Sequence, residues 1–210
     1  MPWGPEDWDA LLFREEASPS RAAAVIDAVQ EFLLRIPLRE EKTVADLGCG
    51  KGGQLPFLAA HFGRVIAVDY APASLAAARR RTGGMGVEFR RRDLRDLKPF
   101  RSGLDVAMAV DSVLGPRGTD IDRVFDQIHR SLVEGGVFLS TFPAVPRRSG
   151  PYKMSLNEGE DVKAPHRFHE IELQYRLRRS GYRGVRIRRF SGDDERDETL
   201  LCTATRRANN

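Results

Sequence analysis

Thr43-Val-Ala-Asp-Leu-Gly-Cys-Gly-Lys-Gly-Gly53 reads as a short apolar strand that runs into an acid and then a glycine turn. Apolar residues resume at helical spacing with Leu55, Leu58, Ala59 and Phe62. The stretch therefore opens a strand–turn–helix unit whose strand is buried and parallel. Glycine belongs in such a turn because the backbone takes unusual φ/ψ there and a ligand approaches the bare main chain.

Two kinds of protein use this turn, and the residue before it separates them. Gly48, Gly50 and Gly53 satisfy the G-x-G-x-x-G spacing of dinucleotide-binding folds. A pyrophosphate on the helix N-terminus brings negative charge, which a carboxylate at the strand end repels. Asp46 stands at that end and suits a ligand carrying positive charge, such as the ammonium and sulfonium of S-adenosylmethionine. In Asp46-Leu-Gly-Cys-Gly-Lys-Gly the sequence resembles the first motif of the class I S-adenosylmethionine-dependent methyltransferases. The same run, with Lys51 in place of the commoner small or acidic residue, is also similar to the first motif of messenger-RNA cap guanine-N7 methyltransferases. That second likeness stops after these residues.

Outward from the turn, the pattern repeats. Ser18-Pro-Ser precedes a helix expected over 21–36, closed by Pro37. Arg64-Val-Ile-Ala-Val-Asp69 is a second buried strand, and Pro72 and Ser74 open a helix through Arg81. A third strand covers 87–92 and ends at Asp93-Leu94, and a fourth covers 104–110 before Asp111-Ser112. A helix follows from Asp120 or Asp122 and is expected to stop at Glu134-Gly-Gly, before a fifth strand over 137–142. The stretch 143–165 is rich in Pro, Gly, Ser and charge, a long connection of the kind that tends to be functional. A helix over 168–180, an alternating strand over 185–190 and a last strand over 199–205 complete the chain.

Five strand–helix steps followed by an antiparallel pair distinguish the two kinds of protein again, and the resemblance now covers residues 40–206. It implies an α/β, Rossmann-like three-layer sandwich with a seven-stranded, mostly parallel sheet and a reversed last strand. We read residues 1–210 as one domain: a lid and helix over 1–39, a cofactor-binding core over 40–142, a substrate loop over 143–165, and the final helix and strand pair over 166–206. Trp3, Trp8 and Phe13 are the aromatics available to the lid.

Bulk properties narrow the partners. A chain of 210 residues is long enough for one substantial core. No apolar run approaches the roughly 18 residues of a membrane helix, and Met1-Pro-Trp-Gly-Pro lacks the layout of a signal peptide. Cys49 and Cys202 give neither a disulfide framework nor metal spacing, so a reducing cytoplasm and no metal are expected. The net charge is only +4, and the arginine clumps are interspersed with acids. They read as solvated faces, with a nucleic-acid surface as the alternative. The expected partner is a small-molecule methyl acceptor, on a monomer or homodimer.

The resemblance also implies roles for residues. Gly48, Gly50 and Gly52, with Leu47 and Cys49, would let the backbone approach the methionine part of S-adenosylmethionine, while Asp46 meets its ammonium. Asp69 would hold the ribose hydroxyls with Tyr70 beside it. Asp93 would meet the adenine amino group and the Leu94 backbone N–H a ring nitrogen. Asp111 and Ser112 would border the ammonium or the acceptor. Methyl transfer needs mainly positioning and exclusion of water, with a base only if the nucleophile must lose a proton. His166, His169 and Asp111 are the candidates for that base, and Tyr152 a candidate orienting hydroxyl; His61 and His129 sit in helical patterns and read as structural. Asp111-Ser-Val-Leu, rather than Asn-Pro-Pro-Tyr, follows the fourth strand, which speaks against adenine or glutamine-amide methylation. The function expected is methyl transfer to an oxygen or nitrogen of a small molecule, leaving S-adenosylhomocysteine. The alternatives are an RNA methyltransferase, an NAD(P)-dependent oxidoreductase, and a non-catalytic subunit that binds the adenosyl ligand.

Overall fold

The computed structural model describes residues 19–100, 102–113, 119–146, 167–192 and 198–207. Trp3, Trp8, Phe13 and most of the stretch 143–165 lie outside them. The strands are β1 (Thr43–Leu47), β2 (Arg64–Asp69), β3 (Glu88–Arg91), β4 (Leu104–Ala109), β5 (Leu132–Pro143), β6 (Tyr182–Ser191) and β7 (Glu198–Arg206). The helices are α1 (Pro19–Leu34), α2 (Leu55–His61), α3 (Pro72–Arg81), α4 (Thr119–Ser131) and α5 (Glu170–Arg179). One sheet runs in the order β3-β2-β1-β4-β5-β7-β6. Only β7 is reversed, antiparallel to both β5 and β6. This is the seven-stranded Rossmann-like sandwich that the order of motifs implied.

The layers follow from side-chain alternation. Val44, Val106 and Met108 face one way and pack with Val25, Val29 and Leu33 of α1, Leu55 and Leu58 of α2, and Leu75 and Ala78 of α3. Ala45, Leu47, Ala107 and Ala109 face the other way, toward Phe125 and Ile128 of α4 and Leu173 and Leu177 of α5. Strands covered on both faces have no need of polar alternation, which is why β1, β2 and β4 are mostly apolar, with Asp46 and Asp105 the acids within β1 and β4. The short edge strand β3 carries Glu88, Arg90 and Arg91, and charge of this kind keeps an open edge from pairing with another chain.

Several boundaries differ from the sequence reading, four of them for packing reasons. β5 starts at Leu132 rather than Val137, because Leu132 already pairs with Leu104 before a bulge carries the register on to Val106 and Val137. Gly135, at φ +73, lies within that irregular start and not at a helix end. The helix itself stops at Ser131, and Arg206 caps it by donating to the carbonyls of His129, Arg130 and Leu132. β6 starts at Tyr182, which is fully buried and donates its hydroxyl to Phe125 O at 3.2 Å. α5 begins at Glu170 because Phe168 is buried in a parallel bridge with Ala144.

Among the described residues the arginine clumps lie at opposite edges of the sheet. Arg79–Arg81 end α3 and Arg90 and Arg91 lie on β3. Arg188 and Arg189 lie on β6, at the opposite edge of the sheet. Arg189 points inward, donating to Glu170 Oε1 at 2.9 Å, Val145 O at 3.0 Å and Glu198 Oε2 at 2.6 Å. It thereby gathers three chain segments beside the end of β5.

Candidate functional site

The glycine turn is folded tightly against its neighbours. Gly48 and Cys49 N–H groups both donate to Val68 O, at 2.7 and 3.0 Å, which ties the turn to β2. Gly48 has φ +76, and a Cβ there would lie 2.3 Å from Ser112 Cβ. Ser112 in turn donates its hydroxyl to Leu47 O at 2.6 Å, so the ends of β1 and β4 are joined across the turn. Gly52, also at φ +76, is closed in by Leu55 and Ala78. Both glycines are thus required by packing, since a side chain would meet Ser112 at one and Leu55 and Ala78 at the other, and the turn lies at the carboxyl end of β1, where open α/β sheets present a crevice.

Four carboxylates follow one another along that rim, one on or just beyond the end of each of β3, β2, β1 and β4: Asp93, Asp69, Asp46 and Asp111. Asp46 is the deepest, with only 4% of its surface exposed, and among the described residues it makes no hydrogen bond. Burial, then the charge of Asp69, raises its pKa to about 7. A buried carboxylate without donors is costly to hold ionised.

Asp69 is oriented by main chain: Gly50 N–H donates to Oδ2 and Ala71 N–H to Oδ1, both at 2.8 Å. A carboxylate oxygen keeps a second lone pair after one such bond, so the group retains room for ligand hydroxyls. Tyr70 beside it lies under the Arg91 guanidinium, whose Nε donates to Tyr70 O at 3.2 Å. Asp93 is more committed than its sequence suggested. Arg95 donates to it from its backbone N–H and Nε at 2.9 Å each, and from Nη2. Burial alone would raise the Asp93 pKa, but those bonds outweigh it and hold the carboxyl below its usual range. Leu94 packs on the core beside the pair. The Cys49 thiol is buried and pushed up by burial and then by Asp46 and Asp69, which leaves it a filler of the turn rather than a nucleophile.

The base candidates fare differently. His166 and Tyr152 lie outside the described residues. His169 is the N-cap of α5, where its Nδ1 accepts from Ile171 N–H at 3.3 Å. With Nδ1 an acceptor, the neutral ring carries its proton on Nε2. His61 bonds Phe57 O at 2.8 Å through Nδ1, and His129 meets the Tyr182 ring edge-on. Asp111 is exposed at the rim with φ +49, a backbone conformation that few residues other than glycine adopt. Two partners escaped the sequence reading: Arg95, whose spacing after Asp93 marks an Asx turn, and Thr141, which bonds Asp111. Among the described residues no group of three or more His, Cys, Asp or Glu is placed to hold a metal. None of their helices is long and apolar enough to cross a membrane.

Comparison with known proteins agrees with this geometry. Residues 44–136 match a family model described as a methyltransferase domain. The chain is 34% identical over 141 residues to a trans-aconitate 2-methyltransferase of Methylobacterium radiotolerans, covering 65% of this chain and 50% of that one. It spans about half the length of such relatives or less. Among solved structures, a S-adenosylmethionine dependent methyltransferase from Mesorhizobium loti superposes with a TM-score of 0.66 at 21% identity, covering 89% of this chain and 100% of that one. The [4+2]-cyclase SpnF superposes with a TM-score of 0.70 at 19% identity, covering 87% and 82%. The same fold thus occurs in a protein named for a different reaction, so the site and not the fold must carry the functional argument.

Proposed function

We propose that this chain, whose sequence and fold place it among the class I S-adenosylmethionine-dependent methyltransferases, methylates an oxygen of a small carboxylic acid. The observation that carries the cofactor is Asp46, a buried carboxylate without a hydrogen bond among the described residues, set at the glycine turn. A pyrophosphate would be repelled there, whereas an ammonium completes the site. Bound S-adenosylmethionine supplies a methyl group already activated on a sulfonium. Asp46 takes the ammonium, Asp69 the ribose hydroxyls, and Leu94 N–H with the Asp93–Arg95 pair borders the adenine. Gly48 and Gly52 keep the turn closely packed.

The acceptor reading rests on chemistry that needs no base. His169 caps α5, and His166 and Tyr152 lie outside the described residues. A carboxylic acid is already ionised at neutral pH and needs none. The curated relatives are named for trans-aconitate, a small polycarboxylic acid. Among the described residues the arginine clumps fall at opposite edges of the sheet, Arg79–Arg81 and Arg90–Arg91 at one and Arg188–Arg189 at the other, which favours a small acceptor over RNA. Two buried free cysteines, Cys49 and Cys202, suit a reducing compartment.

The test is methyl transfer from labelled S-adenosylmethionine to a panel of small di- and tricarboxylic acids, phenols, amines and RNA. The expected product is a methyl ester, formed on a carboxylic acid and lost on mild alkaline treatment. Label retained on RNA, or on a phenol or amine, would contradict the proposed acceptor.

A further inference from the structure

Thr141 lies in the middle of the apolar run of β5 and is fully buried. Its hydroxyl makes two bonds, and both go to one residue. It accepts from Asp111 N–H at 2.7 Å and donates to Asp111 Oδ1 at 2.8 Å. A valine would fill nearly the same volume without bringing a polar atom into the core. The hydroxyl therefore answers to Asp111 alone among the bonds seen there. It acts on the residue at φ +49 whose carboxylate is exposed at the rim. A strained backbone persists where its surroundings over-determine it, and such residues gather at functional sites. Ser112, the next residue, is anchored separately to Leu47 O and packed on Gly48. The end of β4 is thus fixed from both sides, to β5 by Thr141 and to β1 by Ser112.

We propose that Thr141 is a positioning residue that presents the Asp111 carboxylate to the sulfonium of the bound cofactor. The order of the rim supports this placement. Asp93 and Asp69 lie at the ends of β3 and β2, which this reading gives to the adenosine, Asp46 on β1 takes the ammonium, and β4 is the next strand in the sheet. Asp111 would then steady the positive sulfur in the ground state and orient the groups around it. The inference rests on the cofactor reading above and adds to it a charge contact and the residue that sets it.

S-Adenosylmethionine and S-adenosylhomocysteine differ at sulfur by one methyl and one positive charge. The ratio of their affinities therefore reports a nearby carboxylate, and a merely structural residue leaves that ratio alone. Calorimetric titration of both ligands into wild type, Asp111→Asn, Thr141→Val and Thr141→Ser reads it directly. Screening by water at the exposed rim limits the expected effect to about three- to tenfold. Asp111→Asn and Thr141→Val should each shift the ratio against S-adenosylmethionine by that amount, and Thr141→Ser should keep the wild-type ratio. Thr141→Ala replaces Thr141→Val should the valine variant not fold. An unchanged ratio in Asp111→Asn, or in the variants that lack the hydroxyl, with both ligands still bound, overturns the inference. Failure of wild type to bind either ligand overturns the cofactor reading itself.

Discussion

Asp46→Asn should weaken S-adenosylhomocysteine binding by at least about thirtyfold and at the same time stabilise the empty protein. Both effects have one origin. The Asp46 carboxylate is buried, unbonded among the described residues, and faces the charge of Asp69. Its pKa rises from 3.8 to about 7 on folding. The folded state therefore keeps its proton over a range where the unfolded chain has lost it, so stability falls as pH rises from about 4 to about 7. Asparagine carries no such penalty. The gain should be on the order of 1–4 kcal/mol at pH 8, roughly 2–4 °C in Tm for each kcal/mol, and should vanish near pH 4. Thermal denaturation of both proteins at pH 4, 6 and 8 measures it. The cofactor's ammonium needs the ionised acid, so wild-type affinity should fall below pH 7 by at most about tenfold per unit, with a proton released on binding. Equal stability of the two proteins at pH 8, with equal affinity, would mean that Asp46 does not bear the buried charge described.

Gly48→Ala should be the most damaging small substitution in the turn. The added Cβ would stand 2.3 Å from Ser112 Cβ, at a φ of +76 that alanine disfavours. Ser112 is held by its bond to Leu47 O and has little freedom to withdraw. Steric overlap and the strained φ together should destabilise the protein by roughly 2–4 kcal/mol. Ligand binding should be lost, since the turn is displaced. The companion change Ser112→Gly removes the overlap and leaves the φ strain, so the double variant should recover about half of the lost stability. Urea denaturation of the single and double variants gives this comparison; a Gly48→Ala protein as stable as wild type would contradict the packing of the turn against β4.

Much of the fold was legible because local pattern and burial agree. β1, β2 and β4 are mostly apolar because helices cover both faces, and the Asp46-to-Gly53 run marked the turn between β1 and α2. The reversed β7 followed from the short acidic turn between two strands. The start of β5 was hidden because its pairing with β4 passes through a bulge, which no sequence period announces. Of the site, Asp46, Asp69, Asp93 and Asp111 fall on consecutive strand ends as their order required. The partners that commit them were not readable. Arg95 takes the Asp93 carboxylate through an Asx turn, and Thr141 reaches Asp111 from another strand. His169, a candidate base beside a long loop, is also the N-cap of α5, a contact set by its place just before the helix.

The central claim is that this crevice binds an adenosyl amino acid through its rim of carboxylates. Calorimetric titration with S-adenosylhomocysteine and with NADH, for wild type and Asp69→Ala, tests it most directly. The account predicts that S-adenosylhomocysteine binds wild type, that Asp69→Ala weakens it at least tenfold, and that NADH does not bind. NADH binding in place of the adenosyl ligand, unaffected by the charge at Asp46, would contradict it.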